Sequence, residues 1–344
     1  MISYIFKRLL LMVPTLLGAL TITFVIVQFI PGGPVEQLMA EARAGSGGDT
    51  GGYRASRDVD AKQIAELKAL YGFDKPAHVR YFEMLKNFAS FDLGRSFMHN
   101  KEVWALIKEK LPVSISLGMW SFLLHYLISI PLGVAKAARE GSRFDTLTTI
   151  AVLVGYAIPG FVLGVLMIVL FAGGTFWDWF PLRGITSDNW AELSVLGRIK
   201  DYFWHLTMPL ICLTIGQFAI TTSLTKNTFV EEIRKQYVLV ARAKGLSEKR
   251  ILYKHIFRNA LIPLITGFPA AFIGAFFAGS VLIETLFSLD GLGLLGYEAV
   301  IRRDYPVVLG SLYFFTLIGL VTKLVSDILY RVVDPRVQFG SVAK

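Results

Sequence analysis

The chain contains a single cysteine, Cys212, so no disulfide can form within it. Charged residues are also scarce. Only 18% of the residues are Asp, Glu, Lys or Arg, whereas 54% are hydrophobic. Soluble globular domains carry about 25% charged residues. This composition excludes an ordinary soluble domain and indicates a protein embedded in a lipid bilayer.

Catalytic and metal-binding motifs are missing as well. The sequence has no G-x-x-x-x-G-K-[ST] loop for nucleotide phosphates, no H-E-x-x-H pair of metal ligands and no G-x-S-x-G nucleophile turn. We therefore expect no catalytic residue, no metal site and no cofactor in this chain. Any ATP-driven process would depend on ATP and Mg²⁺ bound by partner subunits.

Long apolar runs dominate the sequence. A helix needs about 20 apolar residues to cross the hydrocarbon core of a bilayer. Six runs approach that length, which predicts an all-α membrane protein with about six transmembrane helices: 9–30, 111–135, 146–171, 207–224, 261–283 and 307–330.

The short loops between these runs differ in positive charge. The basic loops contain Lys7 and Arg8, then Lys136, Arg139 and Arg143, then nine basic residues over 226–258, and finally Arg331 and Arg336. The opposite short loops contain only Arg183, Arg198, Lys200, Arg302 and Arg303. Because Lys and Arg are enriched in cytoplasmic loops, both termini are predicted to be cytoplasmic. Topology explains the net charge of +9 better than nucleic-acid binding does, since the charge is divided among loops.

The spans and loops predict four regions. These are a first transmembrane helix at 1–30, a periplasmic helical insert at 31–110, a transmembrane core at 111–330 and a cytoplasmic tail at 331–344. Within the insert, 45–52 reads as a glycine-rich spacer, and 60–71 and 78–88 as amphipathic helices. The sequence leaves two roles open for this insert: it can dock a partner protein, or it can cover the outer end of the transmembrane helices.

Residues 226–258 form a basic loop between the fourth and fifth spans, here called the interspan segment. An apolar residue recurs there every three or four positions, at Phe229, Ile233, Tyr237 and Val240. This spacing predicts one apolar helical face. Gly245 suits a left-handed helix stop, and Ser247 can cap a second helix on which Leu252 and Ile256 face the same way. The sequence therefore predicts a helix, a bend and a second helix.

Polar residues inside predicted spans are the remaining candidates. His125 and Gln217 fall near the middle of their spans, and Glu284 falls at the outer end of the fifth. Lys323 and Asp327 lie four positions apart and can pair on one helical face, with a gate or a substrate contact as the alternative. Interhelical hydrogen bonds are the default interpretation of His125 and Gln217, with a place on a translocation path or gate as the alternative for both and for Glu284.

The interspan segment carries a recognisable motif, composed of Ala241, Arg242, Ala243, Lys244, Gly245, Leu246, Ser247, Glu248 and Lys249. It resembles the cytoplasmic loop by which permeases of ATP-binding-cassette (ABC) importers couple to their ATPase subunits. The general loop pattern begins Glu-Ala-Ala, where this chain has Leu239, Val240 and Ala241. Ala241 and Gly245 match the pattern, whereas a salt bridge from its Glu is not expected.

Further motifs extend the resemblance over nearly the whole chain. They occur at 31–34, 71–76, 91–97, 158–161, 180–184, 279–293, 303–306 and 334–337. They resemble the first permease subunit of dipeptide, oligopeptide and nickel importers. The insert after the first span and residues 155–159, 234–237 and 293–298 are most similar to the Yej-type branch, which imports microcin C and peptides.

The resemblance implies a multi-pass permease in a bacterial inner membrane. It also implies a second permease subunit as heterodimer partner, separate ATP-binding subunits and a periplasmic peptide-binding protein. Peptides, microcin-like antibiotics and nickel complexes are open as cargo. Two other classes fit the residues alone. One is a self-sufficient secondary transporter that uses the polar span residues for ion coupling. The other is a membrane protein whose basic loop binds anionic lipid and has no docking partner.

Overall fold

The computed structural model describes residues 2–29, 74–174, 176–275 and 280–333. Within these ranges the chain is helical, with one isolated β-bridge between Arg95 and Glu102. The helices are α1 (Ile2–Phe29), α2 (Ala77–Ala89), α3 (Val103–Ala138), α4 (Arg143–Ala157), α5 (Gly160–Phe171), α6 (Val195–Ile233), α7 (Gln236–Ala243), α8 (Ile262–Ala275), α9 (Val281–Leu286), α10 (Leu292–Ile301) and α11 (Tyr305–Val333). The predicted spacer at 45–52, the helix at 60–71 and the residues 334–344 lie outside the described ranges.

Several of these helices are long and apolar enough to cross a membrane. In the described residues α1, α3, α6 and α11 qualify individually, and α4 and α5 qualify together as a pair bent by 91°. The predicted span at 261–283 is described as α8 and α9, with residues 276–279 outside the described ranges. The prediction of an all-α membrane protein is confirmed.

The bend between α4 and α5 occurs inside the predicted third span. Ile158 and Pro159 separate the two helices, and Pro159 is the residue that precedes the first turn of α5. Proline has no backbone N–H to continue the hydrogen bonds of α4. The predicted single span therefore becomes two helices at nearly a right angle.

Helix α6 extends well beyond the predicted span at 207–224. It has 39 residues, which gives it a length of about 58 Å, almost twice the ~30 Å hydrocarbon core. Its last turns, which contain Lys226 and Phe229, therefore lie beyond the apolar part of the helix. These turns lead directly into the rest of the interspan segment.

The described residues within 1–110, together with 295–320, form one compact unit. In this unit the Thr21 and Tyr81 hydroxyl groups lie 2.6 Å apart and connect α1 to α2. Phe88 is buried on α2, with its ring 5.1 Å from that of Tyr313. The predicted helix at 78–88 is confirmed by α2, because its amphipathic pattern matches a helix with one packed face.

The described residues within 111–294 and 321–333 form the second compact unit. One apolar cluster there joins residues of α3, α5, α6 and α9, including the fully buried Leu206 and Phe287. Helices α5 and α6 approach closely, since a Cβ atom on Gly160 would lie 2.4 Å from the carbonyl oxygen of Cys212. Small residues permit such backbone approach between membrane helices.

Candidate functional site

The interspan segment begins with a break between α6 and α7. Arg234 and Lys235 separate the two helices, and Lys235 has extended backbone angles. The buried Glu232 carboxylate accepts hydrogen bonds from the Lys235 ammonium and, at 2.8 Å, from the Tyr237 hydroxyl. Burial raises the pKa of Tyr237, so this hydroxyl remains a donor at neutral pH. These contacts fix the direction in which α7 leaves α6.

The break changes which residues of α7 face inward. Val238 and Ala241 are buried, whereas Val240 is 52% exposed. The predicted apolar stripe is therefore correct for Phe229, Ile233 and Tyr237, which pack in one cluster, and wrong for Val240. The extended residue Lys235 shifts the helical phase, so the spacing that holds along α6 does not continue through α7.

The inward face of the segment belongs to one apolar cluster, here called the interspan cluster. Its buried members come from α3, α6, α7 and the turns that follow α7: Val134, Ala137, Phe229, Val238, Ala241, Ile251, Ile256 and Ala260. Leu246 and Leu252 pack against it. Close-packed cores transmit displacement instead of absorbing it. The segment is thus held against the ends of the long helices α3 and α6.

Helix α7 ends in a glycine bend. Gly245 has φ +75°, the left-handed conformation predicted from the sequence. Its N–H donates to the Arg242 carbonyl at 2.9 Å, and the Leu246 N–H donates to the Ala241 carbonyl at 3.3 Å. This pair of bonds is a Schellman motif, and the packing of Leu246 near Ala241 completes it. A Cβ atom at Gly245 would meet nothing within 4 Å, so only its backbone conformation restricts the residue.

A second helical stretch follows, as predicted, but its form differs from the expectation. Ser247 occupies the N-cap position, yet its side chain makes no capping hydrogen bond. A helical turn at Glu248–Arg250 is followed by a π-helix at Ile251–Ile256 and an α-helical turn at Phe257–Ala260. The wider π-helical turn allows Ile251 and Ile256, five positions apart, to be buried together. Ile251 was missed by the sequence reasoning, which applied an ordinary helical spacing to Leu252 and Ile256.

An exposed ion pair braces the bend. The Arg242 guanidinium donates to both Glu248 carboxylate oxygens, from Nε at 2.6 Å and from Nη2 at 3.0 Å. This hydrogen bonding holds the pKa of Glu248 below its ordinary value of 4.5, so the carboxylate is ionised at neutral pH. Arg242 thus joins the two sides of the Gly245 bend.

The outward face of α7 presents apolar side chains to solvent. Leu239 is 58% exposed and Val240 is 52% exposed, in a part of the chain outside the long apolar helices. The exposed Lys244 and Lys249 lie close to them in sequence. Exposed apolar residues with a polar rim are typical of protein contact surfaces. The sequence contains one signal for this apolar face. Leu239 and Val240 occupy the positions at which the general coupling-loop pattern has Glu and Ala.

The predicted path residues occupy different environments. His125 Nε2 and Thr221 Oγ1 lie 2.6 Å apart and connect α3 to α6, as the interhelical interpretation expects. Gln217, one turn before Thr221 on α6, is exposed. Glu284 is fully buried elsewhere, on α9. A place on the translocation path stays a prediction for all three residues.

Glu284 organises the loop between α9 and α10. Its carboxylate accepts hydrogen bonds from the backbone N–H of Ser280 at 3.2 Å and of Leu294 at 2.8 Å. A Cβ atom on Gly291 would lie 2.6 Å from this carboxylate, so glycine is required there. The geometry shows a carboxylate that binds backbone N–H groups on both sides of this loop, at the residue before α9 and in the first turn of α10.

A buried ion cluster was missed entirely. It consists of Lys136 at 3% exposure, Asp145 at 5% exposure and the partly buried Lys226. Lys136 Nζ lies 3.1 Å from Asp145 Oδ1, and Lys226 Nζ lies 2.6 Å from Oδ2. Sequence reasoning used the two lysines only as markers of topology. Asp145 and Lys226 are 81 positions apart, and no local pattern predicts their pairing.

In the described part of the chain, no group of three or more His, Cys, Asp or Glu residues is arranged to hold a metal ion.

Comparison with known proteins connects this geometry to a family. The family described as "Binding-protein-dependent transport system inner membrane component" matches residues 129–339. The chain belongs to this family. The matched range includes the whole interspan segment, and the family assignment made from the sequence motifs is confirmed.

Individual relatives match over almost the full length. The chain is 52% identical to the peptidoglycan transport system permease protein YejB of Agrobacterium fabrum, over 98% of each chain. It is also 52% identical to the inner membrane ABC transporter permease protein YejB of Escherichia coli O157:H7, over 98% of this chain and 99% of that one. The oligopeptide transport system permease protein AppB of Bacillus subtilis is 34% identical over 98% of this chain. The chain is therefore a multi-pass inner membrane permease of a binding-protein-dependent ABC importer.

Proposed function

We propose that this permease carries peptides or peptide-like compounds inward across the membrane, driven by ATP-binding subunits that dock on the outward face of α7 and the Gly245 bend. The observation that carries the proposal is the two-sided character of α7. Val238 and Ala241 fasten it to the interspan cluster, whereas Leu239 and Val240 are exposed on its other side. A partner that binds the exposed side can displace the long helices behind it.

The mechanism follows from rigid connections. Phe229 of α6 and Val134 of α3 are members of the same cluster as α7. Movement of a docked subunit would therefore shift the ends of two long helices together. Rigid-body movement of packed helices is an established route between inward-open and outward-open states. ATP and Mg²⁺ are bound by the partner subunit. This chain supplies the helices that move and part of the path along which the cargo crosses the membrane.

The proposal fixes the orientation. The docking face must lie in the compartment that holds ATP, so the interspan segment is cytoplasmic, in agreement with its nine basic residues. By the same charge rule Lys7 and Arg8 place the amino terminus in the cytoplasm, and Arg331 and Arg336 place the carboxyl terminus there.

Cargo and partners are proposed from relatives. The names of the similar permeases refer to peptidoglycan and oligopeptide transport. Identity of 52% over 98% of the chain supports a related cargo, namely a peptide or a peptide-containing compound of the microcin C type. A second permease subunit would complete the pathway, and a periplasmic binding protein would deliver the cargo.

The docking face can be tested with charge substitutions on α7. Leu239→Asp and Val240→Asp place a charge on the exposed apolar side of α7, and Leu196→Asp makes the same change at an exposed leucine in the first turn of α6, at the end of α6 remote from α7. We expect the first two variants to insert normally, to lose most of the copurifying ATP-binding subunit and to lose peptide uptake, while Leu196→Asp resembles the unmodified protein. Normal copurification and uptake for Leu239→Asp and Val240→Asp would refute the docking face.

A further inference from the structure

The ion cluster of Lys136, Asp145 and Lys226 has no part in the docking face. A single carboxylate joins three helices there, because Lys136 lies near the end of α3, Asp145 in the first turn of α4 and Lys226 in the last third of α6. The Asp145–Lys226 bond, at 2.6 Å, is the shorter of the two. Short hydrogen bonds between ionised groups are roughly twice as strong as neutral ones and strongly directional.

The two lysines have different surroundings. Lys136 Nζ also donates to the Asp145 carbonyl at 2.9 Å and to the Thr149 hydroxyl at 2.7 Å. Its charge is thus solvated by oxygen atoms of α4 in addition to the carboxylate. Lys226 reaches the cluster through Asp145 Oδ2. Removal of the carboxylate would leave two positive charges together, whereas joint removal of Asp145 and Lys226 charges would leave the net charge of the cluster at +1, as it is now.

The Asp145–Lys226 pair lies between the interspan segment and the bent helix pair α4–α5. Lys226 precedes the end of α6 by seven residues, or about 10 Å of helix. Phe229, one turn further on, is fully buried in the interspan cluster. On the other side, α4 continues into the 91° bend and α5. The pair therefore joins the helix that leads to the docking segment to the bent helix pair.

We propose that the Asp145–Lys226 ion pair carries movement of the interspan segment to the bent pair α4–α5, which makes Asp145 a positioning residue for transport. This inference rests on the proposed function, since it requires an ATP-binding subunit that moves the segment. A buried ion pair is costly to break and does not slide, so α4 must follow α6 when the segment is displaced.

The structure contains a matched exposed link. Arg234 Nη2 donates to the Glu140 carboxylate oxygens at 3.0 and 3.1 Å, which connects the end of α6 to the loop before α4. Both side chains are exposed to solvent. Exposed pairs contribute little and are screened by salt. Glu140→Gln is therefore the control for the loss of a charge contact between the same parts of the chain.

The test uses the complete importer in proteoliposomes with binding protein, peptide and ATP. Asp145→Asn/Lys226→Gln keeps the charge of the cluster but removes the ion pair. We expect this variant to keep its ATP-binding subunits, yet to transport at least tenfold more slowly and to lose stimulation of ATP hydrolysis by loaded binding protein. Its melting temperature should fall, because Lys136 stays buried without a carboxylate. Lys226→Gln leaves the Lys136–Asp145 pair intact, so this variant should keep its melting temperature and its ATP-binding subunits and show the same loss of transport. Lys226→Arg, which keeps the pair, and Glu140→Gln should both transport normally.

Each outcome decides the matter. Transport by the double variant at the normal rate would overturn the inference, because the cluster would then only balance charge. Loss of the ATP-binding subunits from the double variant would also overturn the inference, because the cluster would then be required for assembly of the importer and not for transmission of movement. If the double variant does not accumulate, Lys226→Gln alone removes the same link while Asp145 stays paired with Lys136, and the same loss of transport is expected. Failure of the proposed function is recognised separately, by normal docking of Leu239→Asp.

Discussion

At the scale of single residues, Gly245 is the clearest case of a backbone requirement. Its φ of +75° is unfavourable for residues with a side chain, yet open space surrounds its Cα. Steric blocking and conformational strain are usually confounded in glycine substitutions. Here only strain is present, so the effect of a substitution depends on how well the new residue adopts the left-handed conformation.

This separation leads to a paired prediction. Gly245→Val should cost about 1–2 kcal/mol, which lowers the population of the bent conformation roughly five- to thirtyfold. Gly245→Asn should cost less, because asparagine visits the left-handed region more readily. Gly245→Val should therefore reduce copurification of the ATP-binding subunit and peptide uptake the most. Gly245→Asn should reduce both by a smaller factor relative to the unmodified protein. Equal impairment by Val and Asn would show that the bend itself is not what the docking partner requires.

Glu284 and Val240 show what sequence reasoning can reach at this scale. Glu284 was recognised as unusual because a carboxylate near an apolar span is costly. Its contacts with the N–H groups of Ser280 and Leu294 depend on the folded loop and have no sequence signal. Val240 was placed on the wrong face because the phase of α7 is set by the extended residue Lys235, whose conformation the apolar spacing does not reveal.

At the scale of helices, the chain relies on close approach at glycine. Gly160, the first residue of α5, packs against the α6 backbone, since an added Cβ atom would lie 2.4 Å from the Cys212 carbonyl oxygen. Gly216 lies on α6 itself, and an added Cβ atom there would meet nothing within 4 Å. The two glycines thus differ in surroundings although both lie in apolar helices.

The contrast predicts opposite effects of the same substitution. Gly160→Ala should destabilise the protein by about 1–3 kcal/mol, because the helices must separate to admit the methyl group. Gly216→Ala should be neutral or stabilising by up to about 1 kcal/mol, since alanine favours the helix. Thermal unfolding of the purified proteins in detergent measures both effects. A Gly160→Ala protein as stable as Gly216→Ala would contradict the packing of α5 on α6.

Element prediction succeeded where a local pattern determined the outcome. The amphipathic spacing at 78–88 gave α2, and the long apolar runs gave α1, α3, α6 and α11. The break at Pro159 was not predicted, because the apolar run 146–171 was taken as one span, and the 91° angle between α4 and α5 has no local sequence signal. The π-helix at Ile251–Ile256 was not predicted, because its spacing is set by joint burial in the interspan cluster.

At the scale of the whole molecule, function is distributed between this chain and its partners. The described residues contain the face proposed for docking, a packed cluster behind it and an ion pair that leads to a bent helix pair. The proposal assigns ATP binding to the partner subunits, as the sequence analysis expects. The family could be predicted from motifs in the sequence, and the docking region stays a prediction from the same motifs. The inward and outward faces of that region could not, because they depend on contacts between α3, α6 and α7.

The most direct measurement of the central claim is site-specific photo-crosslinking in the assembled importer. A photoactivatable residue at Val240 should crosslink to an ATP-binding subunit, because its side chain is exposed on the proposed docking face. The same probe at Trp177, an exposed residue in the loop after α5, should give no such product, since that loop is predicted to face the periplasm. A crosslink to the ATP-binding subunit from Trp177, or none from Val240 in an intact complex, would contradict the account.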